Sequence, residues 1–202
     1  MQTIEKLNSF HLILASESPR RRNLLTQLGL NFEVCALNID ESYPLELTAE
    51  EIPLYVCLNK SLAFPDKDIT PNTIVITADT IVWIDDFVLG KPDGEADAKA
   101  MLRCLSGKKH EVITGVCLRS EKQTARFWVN TGVWFKPLTG EEIDYYVENF
   151  KPFDKAGAYA IQEWIGFIGI NRIEGSYFNV VGLPVQRLYT ELLDFCEKEK
   201  LG

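Results

Sequence analysis

Short apolar runs alternating with helix-like stretches predict an α/β fold with several antiparallel strands. Three observations carry that expectation. The chain opens as strand, tight turn, helix, strand over Leu12 to Ala36. Thr73 to Ile84 is dominated by Val, Ile and Thr, the residues that suit a pleated, half-buried surface. Glu111 to Leu118 and Phe127 to Phe135 read as an antiparallel pair, which makes the sheet mixed.

In order along the chain, Leu12-Ile13-Leu14-Ala15 is a buried strand. Ser18 caps a helix that has Pro19 at its first position, carries Leu24, Leu25 and Leu28 on one face, and stops at Gly29. Phe32 to Ala36 is the second strand. Thr48 with Glu51 forms a capping box for a helix through Ala63, although Pro53 argues for a later start. Thr73 to Ile84 is a strand interrupted near Asp79. Glu95 to Leu105 is an amphipathic helix ending at Gly107, and Thr139 with Glu142 opens another. Phe167 to Ile173 and Phe178 to Val181 are expected strands, and Pro184 starts a final helix through about Cys196. No repeat, linker or low-complexity segment divides the 202 residues, so one domain spanning 1–202 is expected.

Composition excludes several functions. The hydrophobic fraction of 46% supports a sizeable core, and no apolar run approaches the roughly 18 residues of a membrane helix. The N-terminus lacks a signal-peptide pattern, which leaves a cytoplasmic protein as the expectation. A net charge of −8 argues against nucleic-acid partners, yet a local cationic pocket can still select a small anion. Five cysteines without CxxC spacing speak for buried thiols rather than disulfides or zinc. With only His11 and His110 available, a metal must be held by carboxylates, which points to Mg²⁺ or Mn²⁺.

Several residues stand where structure alone would not put them. Arg20, Arg21 and Arg22 crowd the first turn of a helix, where the dipole is positive and each cation costs about 0.3–1 kcal/mol. A bound anion would reverse that penalty, because the same turn offers free N–H groups, the hydroxyls of Ser16 and Ser18, and guanidiniums that match phosphate. A solvated basic patch is the alternative. Asp79 lies inside an otherwise apolar strand, where a carboxylate needs a partner or a metal. It reads either as a structural Asp held by backbone donors or as a metal ligand or general base. Glu41 follows the second strand and is either a solvated loop acid or a further carboxylate brought to the same end. Lys60 and Lys91, the latter fixed between Gly90 and Pro92, are either surface lysines or counter-charges for a triphosphate. Gln162 has an amide that donates and accepts, as the edges of uracil and thymine require. No GxxxxGK[ST] loop, GxGxxG turn or nucleophile elbow is present.

The run Leu12-Ile13-Leu14-Ala15-Ser16-Glu17-Ser18-Pro19-Arg20-Arg21 resembles the signature of the Maf proteins, nucleotide pyrophosphatases also called septum formation inhibitor proteins. Ala78-Asp79-Thr80, Gly90-Lys91-Pro92, Leu105-Ser106-Gly107, Thr114-Gly115-Val116, Asp154 to Tyr159, Ile161-Gln162, Gly175-Ser176-Tyr177 and Val181 to Pro184 continue the resemblance in family order. It departs from the family at Ala160, at Glu163-Trp164 and at Asn59-Lys60-Ser61.

The resemblance implies a Maf/ITPase-like mixed sheet with two lobes around a central cleft. It implies a hydrolase acting on phosphoanhydride bonds, a pyrophosphatase converting dTTP and UTP, with modified pyrimidine nucleotides allowed for, to monophosphate and pyrophosphate. A nucleotide-binding regulator of cell division without essential catalysis is the alternative. By the same resemblance Asp79 is the proton acceptor and, with Glu41, holds the divalent metal. Ser16, Arg20, Lys60 and Lys91 contact phosphates, and Arg21, Thr80 and Gln162 set substrate selectivity. The expected partner is the nucleoside triphosphate, and a homodimer is left open.

Overall fold

The computed structural model describes residues 2–37 and 39–201. The chain runs α1 (Gln2–Leu7), β1 (His11–Leu14), α2 (Pro19–Gln27), β2 (Phe32–Val34), α3 (Glu51–Ala63), β3 (Thr73–Ile84), β4 (Phe87–Leu89), α4 (Glu95–Leu105), β5 (Lys109–Arg119), β6 (Thr124–Phe135), α5 (Gly140–Phe150), α6 (Trp164–Gly169), β7 (Ile170–Glu174), α7 (Tyr177–Val181) and α8 (Val185–Leu201). The expected mixed α/β fold is present. Seven strands form one sheet in the order β2-β1-β3-β5-β6-β7, with β4 beside β3.

β1 pairs in parallel with β2 (Leu12 opposite Phe32) and with β3 (Leu12 opposite Ile74). Parallel neighbours need a crossover, and α2 and α3 supply it. β3 and β4 form an antiparallel hairpin (Ile84 opposite Phe87) whose turn residues Asp85 and Asp86 have φ of 47° and 65°. Both positive values suit the two-residue turns whose twist matches that of the strands. β6 and β7 are also antiparallel, with a bulge at Trp134/Phe135.

The chain divides into two compact units. The first comprises 1–79, 114–129 and 182–202, and the second 80–113 and 130–181. In the first, Ile13, Ala15, Phe64, Ile69 and Val75 form a buried cluster. In the second, the core joins Val82, Leu102, Leu105, Val133, Phe135 and Tyr146. All five cysteines are free thiols, and Cys57, Cys117 and Cys196 are buried. Among the described residues no helix is long and apolar enough to cross a membrane.

Several expectations need correction. β3 is not interrupted at Asp79; it is one strand that pairs with β1 in its first half and β4 in its second. Phe178–Val181 is helical, not extended. Ser176 starts that helix, its Oγ accepting from Asn179 N at 3.3 Å, and the Asn179 amide donates inward to Val112 O at 2.9 Å and Thr131 Oγ1 at 3.0 Å. This buried amide anchor overrides the β propensity of the apolar run. Of the expected 167–173 strand only 170–173 is extended, within β7, because α6 occupies the residues before it. α3 begins at Glu51, with Pro53 tolerated in its first turn, where no intrahelical N–H is lost. The Glu51 carboxylate accepts from Thr48 N and Thr48 Oγ1, so half of the expected box forms. At α5 the Thr139/Glu142 box is complete.

Candidate functional site

The first unit gathers most of the expected residues at the C-terminal end of β1. Ser18 caps α2, accepting from Arg21 N at 3.4 Å, with Pro19 at the first helical position. Ser16 Oγ in turn accepts from Ser18 N at 3.3 Å and from Arg21 Nη1 at 3.4 Å. Arg20 is half-buried and Arg22 is exposed.

Arg21 is buried, at 9% exposure, despite its charge. Its Nε donates to Gly182 O at 2.9 Å and its Nη1 to Ala78 O at 2.7 Å. The guanidinium therefore ties the first turn of α2 to β3 beside Asp79 and to the segment before α8. Burial lowers its pKa from the ordinary arginine value, the neighbouring Asp79 and Glu41 oppose that shift, and Arg20 adds to it. These couplings place two cations and two carboxylates in one neighbourhood.

Lys60 completes the group. It projects from the last turn of α3, and its Nζ lies 2.8 Å from Asp79 Oδ1 and 2.7 Å from Glu41 Oε1. Lys60 and Asp79 are largely buried, with side chains 10% and 14% exposed, whereas Glu41 is 43% exposed. A pair this dry gains little net stability over its desolvation, but it is costly to break from one side, because the other charge is then left buried without a partner. The Asp79 carboxylate thus has a lysine partner, where sequence alone allowed backbone donors or a metal.

The oxygens of Glu41 and Asp79 converge on one point, now taken by an ammonium. Among the described residues no group of three or more His, Cys, Asp or Glu could hold a metal. Two carboxylates suit a Mg²⁺-like ion, which commonly binds through one or two protein carboxylates and fills its remaining positions with water and substrate phosphate.

Thr80, Lys91 and Gln162 belong to the second unit. Lys91 is exposed and follows Gly90, whose carbonyl accepts from Gly157 N at 3.0 Å. That bond joins the Lys91 bend to the 154–162 stretch. Gly157 itself has φ +67°, and a Cβ there would sit 3.0 Å from the Val82 side chain, so the backbone conformation and the close approach both favour glycine. Gln162 is half-buried, and its Oε1 is buried without a hydrogen-bond partner among the described residues. An unpaired buried carbonyl costs about 1–3 kcal/mol, and a ligand N–H would relieve it.

Sequence reasoning missed three supporting side chains in this unit. His110, 1% exposed, meets Tyr159 OH at 2.7 Å through Nε2, and burial pushes its pKa down to about 3. Tyr146 and Lys155 are also buried and touch residues near Gln162 in the chain: Tyr146 OH accepts from Ala160 N at 3.2 Å, and Lys155 Nζ lies 3.4 Å from Glu163 Oε1. A lone His in a strand and a Tyr on a helix carry no pattern that would have flagged them.

The model of the Maf-like protein family matches residues 11–195. The chain is 56% identical to a protein of Phocaeicola vulgatus named dTTP/UTP pyrophosphatase, covering 94% of this chain and 98% of that one. It is 50% identical to a protein of the same name from Parabacteroides distasonis, covering 95% and 100%, and 48% identical to one from Porphyromonas gingivalis, covering 96% and 98%. In fold it is similar to the Ham1 protein of Staphylococcus aureus, with a TM-score of 0.52 over 90% of this chain and 97% of that one at 14% identity.

Proposed function

Because the chain belongs to the Maf-like protein family, we propose that it is a nucleoside triphosphate pyrophosphatase that converts dTTP and UTP to the monophosphate and pyrophosphate. The names of relatives 48–56% identical over nearly their whole length support the substrate class. Within the molecule, the observation that carries the reading is the convergence of Asp79 and Glu41 on Lys60 beside the Arg21 guanidinium.

In this reading water attacks the α-phosphorus, Asp79 accepts its proton, and pyrophosphate leaves. Lys60 holds the Asp79 carboxylate in place through the 2.8 Å contact, so the base is oriented before substrate arrives. Ser16, Arg20, Lys60 and Lys91 are assigned to phosphate oxygens, where fixed cations stabilise the charge that develops on the leaving group. Arg21 braces Ala78 and Gly182 in addition to its assigned part in selectivity. Thr80 and Gln162 are assigned to the base. The unpaired Gln162 oxygen suits the N3–H that uracil and thymine share.

Glu41 and Asp79 are the residues that would hold Mg²⁺ or Mn²⁺. Such an ion, when bound, acidifies water and neutralises phosphate charge. A cytosolic location belongs to the same reading.

Incubation of the protein with dTTP and Mg²⁺ or Mn²⁺ tests the proposal. Formation of dTMP and pyrophosphate is the expected result. Formation of dTDP and inorganic phosphate would assign a phosphatase instead, and unchanged dTTP despite tight binding would favour a non-catalytic nucleotide-binding protein.

A further inference from the structure

The peptide that carries Gln162 is held by contacts that the reaction above does not use. Glu163 N donates to Ala160 O at 3.0 Å, which closes a turn with Ile161 and Gln162 at its centre. The backbone of α6 lies hard against that turn: a Cβ on Gly166 would sit 1.9 Å from Ile161 O. Tyr146 OH also accepts from Ala160 N at 3.2 Å and donates to Glu163 Oε2 at 2.5 Å. One phenol therefore binds both ends of the turn. Glu163 Oε1 also lies 3.4 Å from Lys155 Nζ, whose side chain is 10% exposed.

The arrangement is costly for a purely structural turn. Glu163, with a side chain 24% exposed, and Lys155 are both largely withdrawn from water. Withdrawn charges seldom repay their desolvation in stability alone. Burial raises the Tyr146 phenol pKa above its ordinary value, and Glu163 adds to the rise, so the hydroxyl stays protonated and donates. A carboxamide also needs such bracing if it is to discriminate. Its donor and acceptor lie at one tip, uracil presents N3–H beside a carbonyl, and cytosine presents the reverse. Only a fixed carboxamide separates the two.

We infer that Glu163 is a positioning residue for base selection: by joining Tyr146 and Lys155 across the 160–163 turn, it fixes where the Gln162 amide stands. The inference rests on the reading that Gln162 faces the base. Its claim is about discrimination between nucleotides, so general destabilisation does not mimic it. Loss of fold lowers turnover of UTP and CTP alike, whereas loss of positioning changes their ratio.

The test compares kcat and KM for UTP and CTP in the wild type, Gln162→Ala, Glu163→Ala and Glu163→Gln. The wild type is expected to prefer UTP, and Gln162→Ala to lose that preference. Glu163→Ala is expected to lower the UTP-to-CTP ratio of kcat/KM by about tenfold, chiefly through KM for UTP. Glu163→Gln still accepts from Tyr146 but loses the Lys155 ion pair, so it falls between the two. A Glu163→Ala ratio equal to that of the wild type, with Gln162→Ala altered, would overturn the inference and leave the Gln162 reading intact. An unaltered ratio in Gln162→Ala would remove that reading and the inference with it.

Discussion

Lys60 Nζ lies 2.8 Å from Asp79 Oδ1, with only 10% and 14% of the two side chains exposed. Asparagine at position 79 can still accept from Lys60 through its carbonyl oxygen, so the neighbourhood keeps its shape while the base is lost. Asp79→Asn is therefore expected to abolish measurable turnover, a loss of about 10²-fold or more, while nucleotide binding persists. Turnover by product assay and binding by calorimetry check this together. Retained turnover contradicts the assignment of Asp79 as proton acceptor.

Arg21 makes two buried bonds to carbonyls from different segments, Ala78 and Gly182. Lysine has no planar fork and cannot reproduce both. Arg21→Lys is expected to cost about 2 kcal/mol of stability, read as a lowered denaturant midpoint with an unchanged slope. An unchanged midpoint would show that the two carbonyls are satisfied without the guanidinium.

His110 gives the fold a pH dependence. Burial lowers its folded-state pKa to about 3, below the unfolded value near 6.5. The unfolded chain therefore binds the proton first. Stability from this site is fully present above pH ~6.5 and declines as pH falls toward ~3, with about 1 kcal/mol lost between pH 7 and 5.5. His110→Gln can still bond Tyr159 OH and does not titrate, so its stability should be flatter over that interval. Equal slopes in the two proteins would show that His110 takes up no proton on unfolding.

Gly166 cannot carry a side chain without moving the Ile161 carbonyl. Gly166→Ala is expected to lower stability by about 2 kcal/mol or more and to weaken UTP binding more than phosphate binding, because the displaced turn carries Gln162. Thermal denaturation measures the first effect, and calorimetric titration with UTP and with pyrophosphate measures the second.

Much of this was legible in the sequence because local rules and their violations are written locally. The Ser18-Pro19 start and Gly29 stop of α2 follow from capping chemistry, and Gly29 has φ +80°. Three arginines in that first turn marked a site because a helix N-terminus disfavours cations. The partner of Asp79 was not legible. Lys60 lies nineteen residues away on another element, and only the fold brings them to contact. Phe178–Val181 was misread as a strand because β-branched periodicity over so short a run does not separate strand from helix. The Asn179 amide that decides it bonds to residues far back in the chain. The contacts that join Tyr146 and Lys155 to Glu163 were not legible for the same reason, although Lys155 and Glu163 themselves lie in stretches the sequence singles out.

The position of bond cleavage tests the central claim most directly. Hydrolysis of dTTP in water enriched in heavy oxygen labels whichever phosphorus is attacked. Attack at the α-phosphorus, with Asp79 as proton acceptor, predicts label in dTMP and none in pyrophosphate, and no labelled product from Asp79→Asn. Label in the pyrophosphate, or in inorganic phosphate released with dTDP, would contradict the account.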